Sequence, residues 1–268
     1  MTGKSFIAGI LSFVRQKARL ARAFGVVVGL SGGVDSAVVA KLCVQALGKD
    51  KVLALIMPDG KSGKHDVQKA ERFAKSLAIK YVVVDISAIA RELEKQSDDG
   101  NKAVVGKKDK QGYAVVARKA KGNVRPRLRM AVLYYYANSL NYLVAGTGNK
   151  SELLTGYFSK YGDGGVDFLP IGGLYKTQVW QLARELKIAS EIVDAAPSAG
   201  LWKGQTDEKE MGITYALLDK LLEKLYDEKK TASAAAKELN VPVATARKVE
   251  KMVLLSKHKR EMPPVFLF

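Results

Sequence analysis

The 268-residue sequence predicts an α/β fold: a doubly wound, Rossmann-like parallel sheet with a helical C-terminal elaboration. Three observations carry that expectation. Short apolar runs alternate with helical periods as far as Gly146, the pattern of strand and helix units laid around a parallel sheet. The run at 24–30 passes directly into the turn Ser31-Gly32-Gly33 and then into a helical period, which puts a ligand loop at a strand's carboxyl end. From Lys176 onward the pattern is mainly helical.

In chain order, residues 5–22 carry a helical period, and 24–30 form an apolar strand buried on both faces. Residues 34–47 read as a helix, 52–57 as a second strand, 66–77 as a helix and 81–86 as a third strand. The stretch 96–122 is polar, rich in Lys, Gly and Asp, and shows no sustained period before a helix starting near Val124. A connection this long inside a compact domain predicts a flexible insertion, a lid or a binding loop. Residues 130–140 read as a helix in which Tyr134, Tyr135 and Tyr136 give both faces aromatic bulk suited to packing or an interface. A strand at 142–146, a short helix at 151–154 and a glycine-rich segment through Pro170 follow. The whole of 1–268 is expected to form one domain, with a mobile loop at 197–210 and a C-terminal tail at 256–268.

Lys and Arg number 44 against 27 Asp and Glu, and the resulting charge of +17 favours anionic partners such as nucleotides. No zinc-finger spacing or aromatic RNA-reading pattern accompanies it, so stable nucleic-acid binding is not expected. Cys43 is the only cysteine and lies in an apolar helical stripe, which excludes internal disulfides and any cysteine-based metal cluster. No signal-peptide pattern and no run of 18 apolar residues is present, so no membrane partner and a cytoplasmic location are expected.

The chemistry concentrates in two loops. In Leu30-Ser31-Gly32-Gly33-Val34-Asp35-Ser36 the glycines let backbone N–H groups approach phosphate oxygens, the serines add hydroxyl donors, and the following helix points its positive end at the ligand. Asp35 among phosphate donors calls for a divalent cation, Mg²⁺ above all. The segment is neither the Gly-Lys-Ser/Thr phosphate loop nor the three-glycine dinucleotide fingerprint. Gly146-Thr147-Gly148-Asn149-Lys150-Ser151-Glu152 also follows a strand and opens a helix. Glu152 is either a helix N-terminal acid or, beside Asp35, the second Mg²⁺ ligand. The run 156–167, glycine-rich with Lys160 and Asp163 between aromatics, suits a ligand clamp.

The first loop resembles that of the N-type ATP pyrophosphatases, which adenylate an oxygen and let a nitrogen or sulfur nucleophile displace AMP. Thr155 to Pro170 together with Leu174-Tyr175-Lys176 resembles the substrate segment of the ammonia-dependent NAD synthetases within that superfamily. Gly122-Asn123 through Arg127, Arg129 and Met130, then Pro197 to Trp202 with Gly204 to Glu208, then His258-Lys259-Arg260 with Pro263 and Pro264, are similar to further motifs of that family in the same order.

The resemblance implies ATP and Mg²⁺ as cofactors, deamido-NAD and ammonia as substrates, a homodimer, and no glutaminase within the chain. It implies phosphate contacts from Ser31, Gly33 and Ser36, Mg²⁺ held by Asp35 and Glu152, and phosphate contacts with catalytic roles for Lys176 and Ser198, alongside Asp35. Nucleotide or substrate contacts are implied for Leu30, Gly32, Val34, Arg127, Thr147, Lys160, Asp163, Asp207, His258 and Lys259. Candidate interface faces lie at 130–136 and 179–186. The rival reading, a basic nucleotide-binding module without turnover, would not require both Asp35 and Glu152.

Overall fold

The computed structural model describes residues 3–60, 64–104, 110–197 and 206–266. Among them, β1 (Gly25–Gly29), β2 (Val52–Ile56), β3 (Lys80–Val83) and β4 (Tyr142–Ala145) pair in parallel in the order β3-β2-β1-β4. Val26 stands opposite Val52 on one side and Leu143 on the other. A lone parallel bridge from Ala145 to Phe168 extends the pairing past β4. The chain moves outward from β1 to β2 to β3 and then returns to β1's other side, so the order reverses between β1 and β4, where open α/β sheets bind ligands.

The helices are α1 (Lys4–Leu20), α2 (Val34–Leu47), α3 (Lys64–Ser76), α4 (Ser87–Val104), α5 (Lys110–Leu140), α6 (Lys150–Thr155), α7 (Lys176–Glu185), α8 (Ser190–Val193), α9 (Asp207–Met211), α10 (Tyr215–Leu222), α11 (Ala232–Glu238) and α12 (Val243–Leu255). A π-helical turn, Glu223–Asp227, continues α10. The apolar run of β1 is buried on both faces as its composition predicts, with Val26, Val27 and Val28 fully inaccessible. Val26 and Val28 join α2 and α7 in one core, while Val27 packs with Leu55, Ala137 and Val144 against α5 on the opposite face. A further core unites Leu218, Leu221 and Leu222 of α10 with Ala235 and Val249. Trp180 touches both this cluster and the first.

Two expectations are corrected. The period expected to begin near Val124 belongs to a helix that already starts at Lys110, and α4 runs on to Val104, so the described part of 96–122 is helical. Its lysines, its two glutamines and Arg118 mask the apolar period yet have good intrinsic helix propensity. Residues 105–109 lie outside the described residues. The face at 179–186 is core rather than interface, since Val179, Leu182, Ala183 and Leu186 are all buried. By contrast Tyr135 on α5 is 68% exposed, while Tyr134 and Tyr136 pack against the sheet core. Burial pushes the Cys43 thiol up to about 12, the behaviour of an inert small hydrophobe. Among the described residues no helix is long and apolar enough to cross a membrane.

Candidate active site

The turn after β1 is built around a position only glycine fills. Gly32 has φ +83°, and a Cβ there would stand 2.8 Å from the Asp66 carbonyl oxygen of α3. The loop is braced internally: the Ser36 hydroxyl donates to the Gly33 carbonyl at 2.9 Å, and the Gly33 N–H donates to Ser31 Oγ at 3.2 Å. The Ser31 N–H donates to Ser36 Oγ at 3.3 Å. Leu30 and Val34 turn their side chains into the core, so each can meet a ligand only through its main chain.

Asp35, in the first turn of α2, links this loop to the end of β4. Its Oδ2 pairs with Lys176 Nζ, and its Oδ1 accepts from Asn149 Nδ2 at 3.0 Å. Asn149 also caps α6 reciprocally with Glu152: the Glu152 N–H donates to Asn149 Oδ1 at 3.1 Å and the Asn149 N–H to Glu152 Oε2 at 3.2 Å. Glu152 is thus both the helix-terminal acid and a neighbour of Asp35. Burial, then the charge of Asp35, push its carboxyl up to about 8, against the pull of Lys176.

Lys176, 2% exposed, opens α7. Burial works against its charge, but Asp35 and Glu152 outweigh that effect and hold its ammonium above the ordinary lysine value. The ammonium lies 5.6 Å from the Tyr215 ring centre and 5.9 Å from that of Trp180. Asp207, at the start of α9, is buried and accepts from the Tyr215 hydroxyl at 3.1 Å. Among the described residues no three His, Cys, Asp or Glu side chains are arranged to hold a metal unaided. Two acids at adjoining strand ends do fit Mg²⁺, which takes one or two carboxylates and completes its shell with phosphate and water oxygens. The Glu152 carboxyl is a group whose ionised form such a cation stabilises.

The remaining expected residues gather on a second rim. Arg127 is exposed and its Nε donates to the Lys160 carbonyl at 3.4 Å. Lys160 Nζ donates to the His258 carbonyl at 2.6 Å, so His258 enters through its main chain while its side chain is exposed. Asp163 accepts from the Ser159 N–H at 2.8 Å, with Lys259 and Arg129 close enough to act on its charge. Lys259 Nζ donates to the Gly156 and Phe158 carbonyls at 2.7 and 2.8 Å. Gly156 itself has φ +70°, and a Cβ there would collide with Ser256. Thr147 is half-buried just past β4. Ser198, with the rest of 198–205, lies outside the described residues.

Sequence reasoning missed several groups. Asn149 had a visible signal, since Asn149-Lys150-Ser151-Glu152 is a capping-box pattern. Asp59, fully buried at the end of β2, pairs with Arg125 at 3.1 Å and Arg129 at 3.2 Å, and Arg125 also pairs with Glu94 of α4. Ser151, Tyr215 and Asp219 surround Lys176 from behind without any local motif.

A family model described as NAD synthase matches residues 6–263. An NH(3)-dependent NAD(+) synthetase of Archaeoglobus fulgidus is 48% identical, covering 99% of this chain and 97% of that protein. One of Methanocaldococcus jannaschii is 47% identical, covering 95% and 93%. Among solved structures, an NMN synthetase from Francisella tularensis superposes with a TM-score of 0.82 at 34% identity, covering both chains completely. An NH3-dependent NAD synthetase from Campylobacter jejuni does so at 0.78 and 29%, again with complete coverage. With the parallel sheet, the Gly32-Gly33 turn and the Asp35 to Lys176 pair assembled as above, this chain belongs to the NAD synthase family.

Proposed function

We propose that the chain amidates deamido-NAD with ammonia at the expense of ATP, giving NAD, AMP and pyrophosphate. The observation that carries the reading is the meeting of Asp35, Glu152 and Lys176 at the carboxyl ends of β1 and β4, beside the glycine turn. A carboxylate is a poor electrophile, and ammonia cannot expel oxide from it. The nicotinate carboxylate therefore attacks the α-phosphorus of ATP, the bond to the bridging oxygen breaks, and pyrophosphate leaves. Ammonia then adds to the acyl carbon of the adenylate, AMP departs with the bonding pair, and a proton is lost.

Within that scheme Ser31, Gly33 and Ser36 would contact the phosphates, the Ser31 and Gly33 N–H groups exchanging their bonds to Ser36 Oγ and Ser31 Oγ for phosphate oxygens, and Lys176 would meet charge on the transferring phosphoryl group. Asp35 and Glu152 would hold Mg²⁺, which when bound neutralises phosphate charge. Asp35 orients the Lys176 ammonium and is oriented in turn by Asn149. Arg127, Lys160, Asp163, His258 and Lys259 form the rim on which the dinucleotide would lie, and 197–210 would close over it with Ser198 and Asp207. The dimer is proposed through the face of α5 that exposes Tyr135.

The test is pyrophosphate release by purified protein with ATP, Mg²⁺ and deamido-NAD, with and without ammonium, coupled to detection of NAD. Ammonium-dependent NAD matched by pyrophosphate and AMP is the expected result. The likeness to the NMN synthetase supports a second reading, amidation of the nicotinate mononucleotide. That acceptor belongs in a parallel arm, and a kcat/KM higher with the mononucleotide would replace the first reading.

A further inference from the structure

Asp219 is an acid on a helix stripe that is otherwise apolar. Tyr215, Leu218 and Leu222 share its face of α10 at helical spacing, and all four are nearly inaccessible. Its carboxylate accepts from neutral donors: the Ser151 hydroxyl at 2.5 Å, the Thr177 N–H at 2.8 Å and the Thr177 side chain. The Ser151 oxygen in turn accepts from the Lys176 N–H at 2.9 Å. Ser151 immediately precedes Glu152, and Thr177 immediately follows Lys176. One turn earlier on the same helix, Tyr215 binds Asp207 and places its ring against the Lys176 ammonium.

We infer that Asp219 is a positioning residue for the Glu152 and Lys176 pair, tying the first turn of α6 to the first turn of α7 and thereby fixing how far the acid stands from the cation. The inference rests on the proposed function, in which Glu152 meets the metal and Lys176 the phosphate. Ordinary packing would join the two helices without a buried carboxylate. The carboxylate adds directional bonds to main-chain and hydroxyl groups one residue from each functional side chain, and partners of that kind set activity by 10- to 100-fold in metal sites.

The test compares Asp219→Asn and Ser151→Ala with the wild-type full chain. Amide exchange at Lys176 and Thr177 is measured without substrates, and kcat and KM for ATP and deamido-NAD are measured with Mg²⁺ and ammonium. The expected result for Asp219→Asn is a kcat lowered about 10- to 100-fold, both KM values within about threefold, and faster exchange at the two amides while the β1 amides stay protected. Ser151→Ala, which removes only the hydroxyl link, should move the same quantities in the same direction. If Asp219→Asn does not fold, Ser151→Ala decides. An unchanged kcat, a rise in KM without loss of kcat, unaltered exchange at Lys176 and Thr177, or loss of folding in both variants would overturn the inference. A wild type that makes no NAD sinks the functional reading alone, and the exchange comparison still judges Asp219.

Discussion

Replacing Glu152 with glutamine should stabilise the metal-free protein while abolishing its turnover, and the two effects should have different pH dependences. Gln preserves the side chain's shape and its place in the capping box with Asn149, so the helix start is kept. What changes is the charge. The Glu152 carboxyl sits at about 8 against an ordinary 4.5, because burial and then Asp35 disfavour its ionised form. Between those values the folded state binds more protons than the unfolded state, so stability falls as pH rises through the window and stays low above it. At about 1.4 kcal/mol per factor of ten in the acid constant, the distance from 4.5 to about 8 amounts to roughly 4–5 kcal/mol as a ceiling.

A gain of about 2–4 kcal/mol is therefore expected for Glu152→Gln above pH 8, shrinking to nothing below pH 4.5. For a chain of this size that corresponds to roughly 4–15 °C in melting temperature. The assay is thermal unfolding of both proteins in chelator across the pH range, followed by the same series with Mg²⁺ and ATP. Ligand should raise the wild-type melting temperature more than that of the variant. A variant less stable than wild type at pH 9, or a gap that does not change with pH, would refute the reasoning.

Lys176→Met should lower kcat for pyrophosphate release about 10²- to 10³-fold with little change in KM, as for loss of a donor used in the transition state; a raised KM with kcat intact would reject that role. Gly32→Ala, strained at φ +83° and pressed against the Asp66 carbonyl, should cost on the order of 1–3 kcal/mol in chemical denaturation and raise the KM for ATP. Asp59→Ala removes the buried acid that Arg125, 2% exposed, shares with Arg129 and leaves Arg125 paired with Glu94, and should cost about 1–3 kcal/mol; a loss below about 1 kcal/mol in urea unfolding would show that the network contributes little. With +17 over the whole chain, kcat/KM for ATP should fall as salt is raised while kcat holds steady, since screening acts on encounter rather than on buried pairs; stopped-flow and steady-state rates over a salt series would test this.

The fold was legible wherever local chemistry decided it. The helix expected at 34–47 forms as Val34–Leu47, because a glycine turn opens it and Gly48 ends it. The strands expected at 24–30 and 52–57 form as Gly25–Gly29 and Val52–Ile56, because parallel strands buried on both faces are short continuous apolar runs. Helix α4 and the first part of α5 escaped because their polar, glycine-containing sequence shows no sustained apolar period, whereas the part of α5 from about Val124 to Leu140 was expected. The same division runs through the site. The glycine turn, Asp35 and Glu152 announce themselves by residue type in loops that follow strands, whereas Lys176 was implied only by the family resemblance of Leu174-Tyr175-Lys176. The Asn149 bond to Asp35 spans 114 residues of sequence and the Ser151 bond to Asp219 spans 68, so no local pattern could reveal either. Even so, a trace of Asp219 was present: an acid at the i+4 position from Tyr215 and one residue after Leu218, on a stripe whose other members are apolar.

That trace bears on how the molecule is put together. The phosphate turn and Asp35 belong to the sheet and its core, whereas Tyr215 and Asp219 belong to the core of the C-terminal helices, and Lys176 stands where the two meet. The C-terminal helices therefore complete the site rather than merely append to the sheet. The tail strengthens the joint from outside: the Arg260 guanidinium donates to the Leu153 and Leu154 carbonyls at 2.9 and 2.7 Å, at the far end of the six-residue helix that begins next to Asn149. Lys259 closes the adjoining turn at Gly156 and Phe158. A helix this short has little stability of its own. Glu152 is thus held by Asn149 at its own end, by Ser151 and Asp219 from behind, and by the tail from the opposite end. Chemistry that must place two acids and a cation around a triphosphate needs that rigidity, and it is drawn from residues up to Arg260, far from the glycine turn in sequence.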